Sequence, residues 1–328
     1  MIVDSIADIA TQPMFLRLED LVPNVTVHLK VEALNIAGSI KLKSARQIVD
    51  DMESCGVLRP GSRVVESSSG NLGVSLAFLC AERGYGFTCI SDPNMSPPTS
   101  RLIRALGGRV IIVREKDAQN GYLKSRLELI QRMVACDPHL VWTNQYANRS
   151  NARAHYLTTG QEILAEFPAP QWVFIGAGTT GTLVGSAQRL REGSPGTRIV
   201  AVDSVGSVTF GGPSGPRYLP GMGTSLAPDL ARDCVMDELV MVKEADAARL
   251  CRDLARRRGL LLGPSSGSVL SAVVSHADRL SSGDVVVAVS ADFGDRYLET
   301  LYNDEWIGTY FPATSLQEAR DLELAVSP

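Results

Sequence analysis

An α/β fold with parallel-rich sheets covered by helices is predicted by three observations. Short β-branched runs alternate with helical patterns along the chain. The runs are mainly apolar, as a strand buried on both faces favours, and do not strictly alternate apolar with polar. A length of 328 residues with 45% hydrophobic content supplies core enough for two layered lobes.

The elements follow in order. A strand over Arg63 to Glu66 runs through a Ser/Gly loop into a helix over Leu72 to Arg83. Strands at Phe87 to Ser91, Val110 to Val113 and Leu140 to Thr143 are followed by helices at Pro98 to Leu106, Tyr122 to Ala135 and Ala154 to Phe167. Val173 to Gly176 opens through a glycine-rich loop into a further helix, with Ile199 to Asp203 as the next strand. Gly211 to Pro216 is a Pro/Gly-rich loop leading to Leu219-Pro220-Gly221, and it does not read as a domain linker. A helix over Ala245 to Arg258 ends at Gly259, with Arg256-Arg257-Arg258 as its solvated last turn. Val285 to Ser290 is the last strand, and Ser315 to Leu324 reads as an acidic helical tail.

Composition excludes several function classes. The formal charge of −4 is small and the basic residues are dispersed, so nucleic acid is not an expected partner. Met1 to Thr11 lacks a basic region and an apolar run, and no stretch approaches a membrane span, so a cytoplasmic protein is expected. The six cysteines show no C-x-x-C pair and the four histidines no ligand spacing, so neither a disulfide framework nor a metal site is expected.

Two segments carry chemistry together. Ser39-Ile40-Lys41 places a lysine just after Gly38, and Glu66-Ser67-Ser68-Ser69-Gly70-Asn71-Leu72-Gly73 is a hydroxyl-rich loop between a strand and a helix. Either alone has an ordinary explanation, as a solvated charge or a turn. Together they suggest covalent amine chemistry, in which a lysine forms a Schiff base with a carbonyl cofactor and a helix N-terminus holds a carboxylate beside it. Gly176-Ala177-Gly178-Thr179-Thr180-Gly181, with Asp203 at the end of the next strand, satisfies the dinucleotide fingerprint and alone argues for NAD. The same backbone geometry cradles a single phosphate, which the hydroxyls of Thr179, Thr180 and Thr182 suit.

These motifs, with Thr158-Thr159-Gly160, Pro220-Gly221-Met222-Gly223, Gly263-Pro264-Ser265-Ser266-Gly267 and Gly294-Asp295-Arg296-Tyr297-Leu298, resemble those of fold-type II pyridoxal phosphate enzymes of the cysteine synthase group. The likeness runs over roughly residues 10 to 305. It implies pyridoxal 5′-phosphate as cofactor and a two-lobed, tryptophan synthase β-like fold, with a smaller mobile domain over residues 40–148 and a larger one from 1–39 plus 149–328. It also implies a homodimer acting on small amino acids. Because Lys41 and the Asn71 loop have no task in a dehydrogenase, pyridoxal phosphate displaces NAD as the expected cofactor.

The resemblance assigns roles residue by residue. Lys41, in preference to Lys43 two positions later, carries the cofactor and takes the Cα proton. Asn71 meets the 3′ oxygen; Gly178, Thr179, Thr180, Gly181 and Thr182 surround the phosphate. Ser265 faces the pyridine nitrogen; many cysteine synthases place a serine at the position of Asp292, which remains the other candidate and otherwise pairs with a group such as Arg296. Ser67, Ser68 and Ser69, helped by Gln145, grip the substrate carboxylate.

The segments at Asn120 to Leu123, Asn144 to Asn148, Gly206 to Gly211, Leu219 to Gly223 and Gly294 to Leu298 through Asp304 to Trp306 resemble the siderophore-pathway branch that joins O-phospho-L-serine to L-glutamate on the way to 2,3-diaminopropionate. Gly178 stands where that branch has a serine. Arg126 and Arg217 are candidates for a phosphoserine leaving group, and Tyr146 for contact with either substrate. The competing expectations are a cysteine synthase using sulfide with O-acetylserine or O-phosphoserine, and a non-catalytic protein of the same fold.

Overall fold

The computed structural model describes residues 2–3, 5–9, 13–117 and 121–312; the predicted tail helix and Asn120 lie outside them. Among the described residues there are ten strands: β1 (Phe15–Val22), β2 (Val25–Val31), β3 (Arg63–Ser67), β4 (Gly86–Ser91), β5 (Arg109–Ile112), β6 (Leu140–Trp142), β7 (Trp172–Gly176), β8 (Arg198–Ser204), β9 (Glu238–Val242) and β10 (Val286–Ser290). The α-helices are α1 (Lys41–Ser54), α2 (Asn71–Arg83), α3 (Pro97–Ala105), α4 (Leu123–Cys136), α5 (Arg149–His155), α6 (Gln161–Glu166), α7 (Gly181–Gly193), α8 (Glu244–Arg258), α9 (Pro264–Ser275) and α10 (Asp304–Tyr310).

Two sheets form. The larger has the order β1-β2-β10-β7-β8-β9, parallel except for the β1/β2 hairpin, and the smaller has the order β5-β4-β3-β6, parallel throughout. The side-chain period of two explains why both faces are buried. On β7, Trp172 and Phe174 enter a core shared with α8 and α9, while Val173 and Ile175 enter the opposite core shared with α6 and α7. In the smaller sheet, Val64 and Cys89 pack with α1, α2 and α3, whereas Val65 and Ile90 pack with Ile130 of α4.

The helix predicted over Ala154 to Phe167 is broken. It comprises the end of α5, a π-helical turn over Tyr156–Gly160, and α6. This stretch lies against α7, where Gly185 is essential: a Cβ there would stand 1.9 Å from the Ala152 carbonyl oxygen. Among the described residues no helix is long and apolar enough to cross a membrane.

Candidate active site

The lysine segment is folded tightly before α1 begins. Asn35 Nδ2 donates to the Glu32 and Ser39 carbonyls, both at 2.9 Å, and its Oδ1 accepts from Ala37 N. Gly38 turns the chain at φ +67°, and Ile40 N donates to the Ala291 carbonyl, fastening the segment to the end of β10. Lys41 then opens the helix. Burial pulls its ammonium pKa down, with the charge of Asp292 acting in the opposite sense. Lys43 takes a different direction and ion-pairs with Glu32 and Glu162, each at 2.7 Å.

Lys41 lines a cavity with Gly178, Thr179, Thr180, Gly181 and Thr182 on one side and Ser265 on another. The glycine loop joins β7 to α7, and its backbone N–H groups and helix N-terminus suit an anion. Close packing forces small residues there. A Cβ at Gly181 would stand 2.2 Å from Asn151 Oδ1, and one at Gly176 2.8 Å from Met222 Sδ. Thr180 adopts φ +66°, an uncommon conformation for a β-branched residue. Asn151 Nδ2 donates to Thr179 Oγ1 at 3.1 Å, and Thr182 Oγ1 lies 3.2 Å from Nε2 of the buried His155. Ser265 stands at the start of α9, its side chain against Gly221.

The hydroxyl loop contributes from the smaller sheet. Ser68 Oγ accepts from Gly70 N and Gly73 N, so it caps α2 and is partly committed. Ser67 Oγ is buried beside the Tyr146 hydroxyl, outside hydrogen-bond geometry, and Ser69 is half-buried. Gln145 Nε2 donates to the Ser67 carbonyl at 2.9 Å. Arg126 is buried and pairs with Asp92 at 3.2 Å, its charge felt at Tyr146.

Glu66 is a site residue that motif reading missed. Its buried carboxylate accepts from Ser67 N at 2.6 Å, Trp142 Nε1 at 3.3 Å, Thr143 Oγ1 at 2.6 Å and Gln145 N at 3.0 Å. It therefore ties the hydroxyl loop to the Gln145 segment. Burial pushes its pKa up, and those four donors oppose the rise.

Three further residues singled out in the sequence acquire partners in the folded chain. Arg217, like Arg126, lies outside the Lys41 cavity lining; it donates to the Met222 carbonyl at 3.4 Å, and the charges of Asp203 and Glu244 oppose the lowering of its pKa by burial. Asp203 is fully buried, with its carboxylate taking Ser204 N, so it is unavailable for the ribose contact that the NAD reading needs. Asp292 bonds Asn71 and Tyr297 in place of Arg296, whose guanidinium instead reaches Asn71 Oδ1 and the Ala37 carbonyl beneath Gly38.

A model of the family described as pyridoxal-phosphate dependent enzyme matches residues 8–292. The chain belongs to this family. This pyridoxal-phosphate dependent enzyme is 42% identical over 282 residues to an N-(2-amino-2-carboxyethyl)-L-glutamate synthase of Ralstonia nicotianae, covering 86% of this chain and 83% of that one. It is also 42% identical to the synthase of the same name from Cupriavidus metallidurans, over 86% and 84% of the two chains. Among solved structures it resembles O-ureido-L-serine synthase, with TM-score 0.84, 32% identity and coverage of 94% and 100%. An O-acetylserine dependent cystathionine beta-synthase of Helicobacter pylori gives TM-score 0.83 at 27% identity, covering 92% and 98%.

The residues present fit the family's cofactor. A buried amine of lowered pKa, a glycine cradle that a Cβ would fill, and a neutral hydroxyl at Ser265 line one cavity. These suit respectively a carbonyl group, a phosphate and a ring nitrogen.

Proposed function

We propose that this enzyme joins O-phospho-L-serine to L-glutamate, giving N-(2-amino-2-carboxyethyl)-L-glutamate and phosphate. The observation that carries this reading is the 42% identity, over 86% of the chain, to two synthases of that name. Pyridoxal phosphate, when bound, supplies the electron sink that lets bonds at Cα and Cβ of an amino acid break and form.

The chain's own residues orient the reactants and move the protons. Lys41, its amine favoured in the neutral form by burial, holds the cofactor and takes the Cα proton. The α7 N-terminus with Gly178 to Thr182 holds the cofactor phosphate, Asn71 and Ser265 its ring, and Ser67 to Ser69 with Gln145 the substrate carboxylate. Arg126, beside Tyr146, offers a guanidinium to the leaving phosphate. The Cβ–O bond breaks with its electron pair leaving on phosphate; the glutamate nitrogen forms the new Cβ–N bond and gives up a proton, and Lys41 returns a proton to Cα.

Closure of the 40–148 lobe would exclude water during this exchange. The reading carries with it a cytoplasmic homodimer that supplies 2,3-diaminopropionate for a siderophore or a related product. The test is to incubate the holoenzyme with O-phosphoserine and a panel of nucleophiles, including glutamate and sulfide, and identify the products by mass. A glutamate conjugate supports the proposal. Cysteine with sulfide and no conjugate with glutamate replaces it by a cysteine synthase.

A further inference from the structure

The turn after β10 converges on the site from behind, and the proposed chemistry gives it no task. Asp292 is 2% exposed, and its Oδ2 accepts from Asn71 Nδ2 at 2.7 Å and from the Tyr297 hydroxyl at 2.5 Å. Its backbone forms an antiparallel bridge with Ser39, and its carbonyl accepts from Gly263 N at 3.1 Å. One buried carboxylate thus sits where the segments bearing Lys41, Asn71 and Ser265 meet.

The Asn71 amide is held at both ends. Arg296 donates to its Oδ1 and, with the other guanidinium nitrogen, to the Ala37 carbonyl at 2.5 Å. Asp292 takes one of its N–H groups. A flipped amide would set its oxygen against the carboxylate and its NH₂ against the guanidinium, two repulsive contacts in buried surroundings. The Tyr297 hydroxyl also feels the Asn71 side chain, so the three groups form one buried cluster. Asp292 Oδ1 makes no hydrogen bond and lies over Gly263, where a Cβ would approach it to 1.9 Å. That geometry commits Oδ2 of the carboxylate to Asn71 and Tyr297.

We propose that Asp292, braced by Tyr297 and acting with Arg296, is a positioning residue that locks the Asn71 amide in one orientation toward the bound pyridoxal phosphate. The inference rests on Asn71 being a cofactor contact. It extends that reading to the Gly294–Leu298 motif, whose arginine and tyrosine hold the two ends of the lock. Asp292 acts through Asn71, so the effects of removing the two must not multiply.

The test uses the holoenzyme without either amino acid substrate, which separates it from the choice of donor and nucleophile. Cofactor affinity and the visible band of the bound cofactor are measured for wild type, Asn71→Ala, Asp292→Ala, the double variant and Asp292→Asn. Asn71→Ala and Asp292→Ala are each expected to weaken cofactor binding about tenfold and to shift the band. The double variant should be no weaker than the worse single by more than about twofold, the mark of one shared contact. Asp292→Asn, which keeps an acceptor for Asn71, should regain most of the affinity.

Multiplying losses in the double variant, or an Asp292→Ala band identical to wild type beside a shifted Asn71→Ala band, would overturn the positioning role. Wild-type behaviour of Asn71→Ala itself would overturn the Asn71 reading and the inference with it. If Asp292→Ala fails to fold, Arg296→Ala, which releases the other end of the Asn71 amide, takes its place in the same comparison.

Discussion

Lys41 and Lys43 are two residues apart and chemically alike, yet their surroundings give them different work. Lys43 neutralises Glu32, which is 5% exposed and whose pKa is lowered to about 2 against the opposing effect of burial. Lys43→Ala should keep the borohydride-reducible link to cofactor but lower stability by about 3 kcal/mol, since it leaves a buried carboxylate without one partner. Lys41→Ala should lose the link and remain folded. Reduction followed by peptide mapping distinguishes them. Arg126 and Arg217 separate in the same way. Arg126→Ala should reduce use of O-phosphoserine relative to O-acetylserine by on the order of 2 kcal/mol in kcat/KM, whereas Arg217→Ala should affect both donors equally by loosening the Pro220 loop. Equal donor losses for Arg126→Ala would remove its role at the phosphate. His155 supplies a pH dependence: burial lowers its pKa from 6.5 to about 3, so between those values the unfolded chain binds a proton that the folded chain refuses. Stability from this ring is complete above pH 6.5 and declines by about 1.4 kcal/mol per pH unit as pH falls toward 3. Glu66 and Asp292, whose pKa values are raised, act in the opposite sense, so the quantity to read is the difference between wild type and His155→Asn. Denaturant titrations at pH 4.5 and 6.5 should show a shallower acid loss in the variant.

At the scale of elements, the close crossing of α5 and α7 is set by one missing side chain. Gly185→Ala would drive a methyl into the Ala152 carbonyl and the Tyr156 amide, so it should destabilise the fold by about 2–3 kcal/mol and lower the melting temperature by several degrees. An unchanged melting temperature would mean that α5 yields freely. The interior parallel strands were legible because burial on both faces makes them continuous apolar runs, and β3, β4, β7, β8 and β10 fall within a residue or two of the expected bounds. The β1/β2 hairpin was not read, since its outer strand is mostly exposed and interleaves charge with apolar residues as Phe-Leu-Arg-Leu-Glu-Asp. The edge strand β9 was missed as well; its register against β8 places Leu239 and Met241 toward solvent. The break between α5 and α6 has no sequence mark of the usual kind, because neither proline nor a turn motif interrupts the helical pattern before Gly160.

For the whole molecule, most of the site was legible because each motif is local: a lysine after a glycine turn, a glycine cradle before a helix, a hydroxyl loop before another. The braces between motifs were not. Glu66 meets Thr143 and Gln145 across 77 and 79 residues of chain, and Asp292 meets Asn71 across 221, separations that no spacing rule reports. The neighbours of Arg217 were hidden for the same reason, since only the folded loop shows it turned toward Met222 and under the electrostatic influence of Asp203. The architecture brings a hydroxyl loop from one sheet to an amine and an anion cradle on the other, an arrangement that serves several β-replacements. What distinguishes them is the nucleophile. A pocket for glutamate must satisfy two carboxylates, and discrimination by buried polar contacts reaches roughly four orders of magnitude. The most direct measurement is therefore a competition, in which holoenzyme and O-phosphoserine are given glutamate and sulfide together and both products are quantified by mass against released phosphate. One C–N coupled glutamate product matching phosphate release one to one is expected; cysteine as the main product, with glutamate unconsumed, would contradict the glutamate assignment.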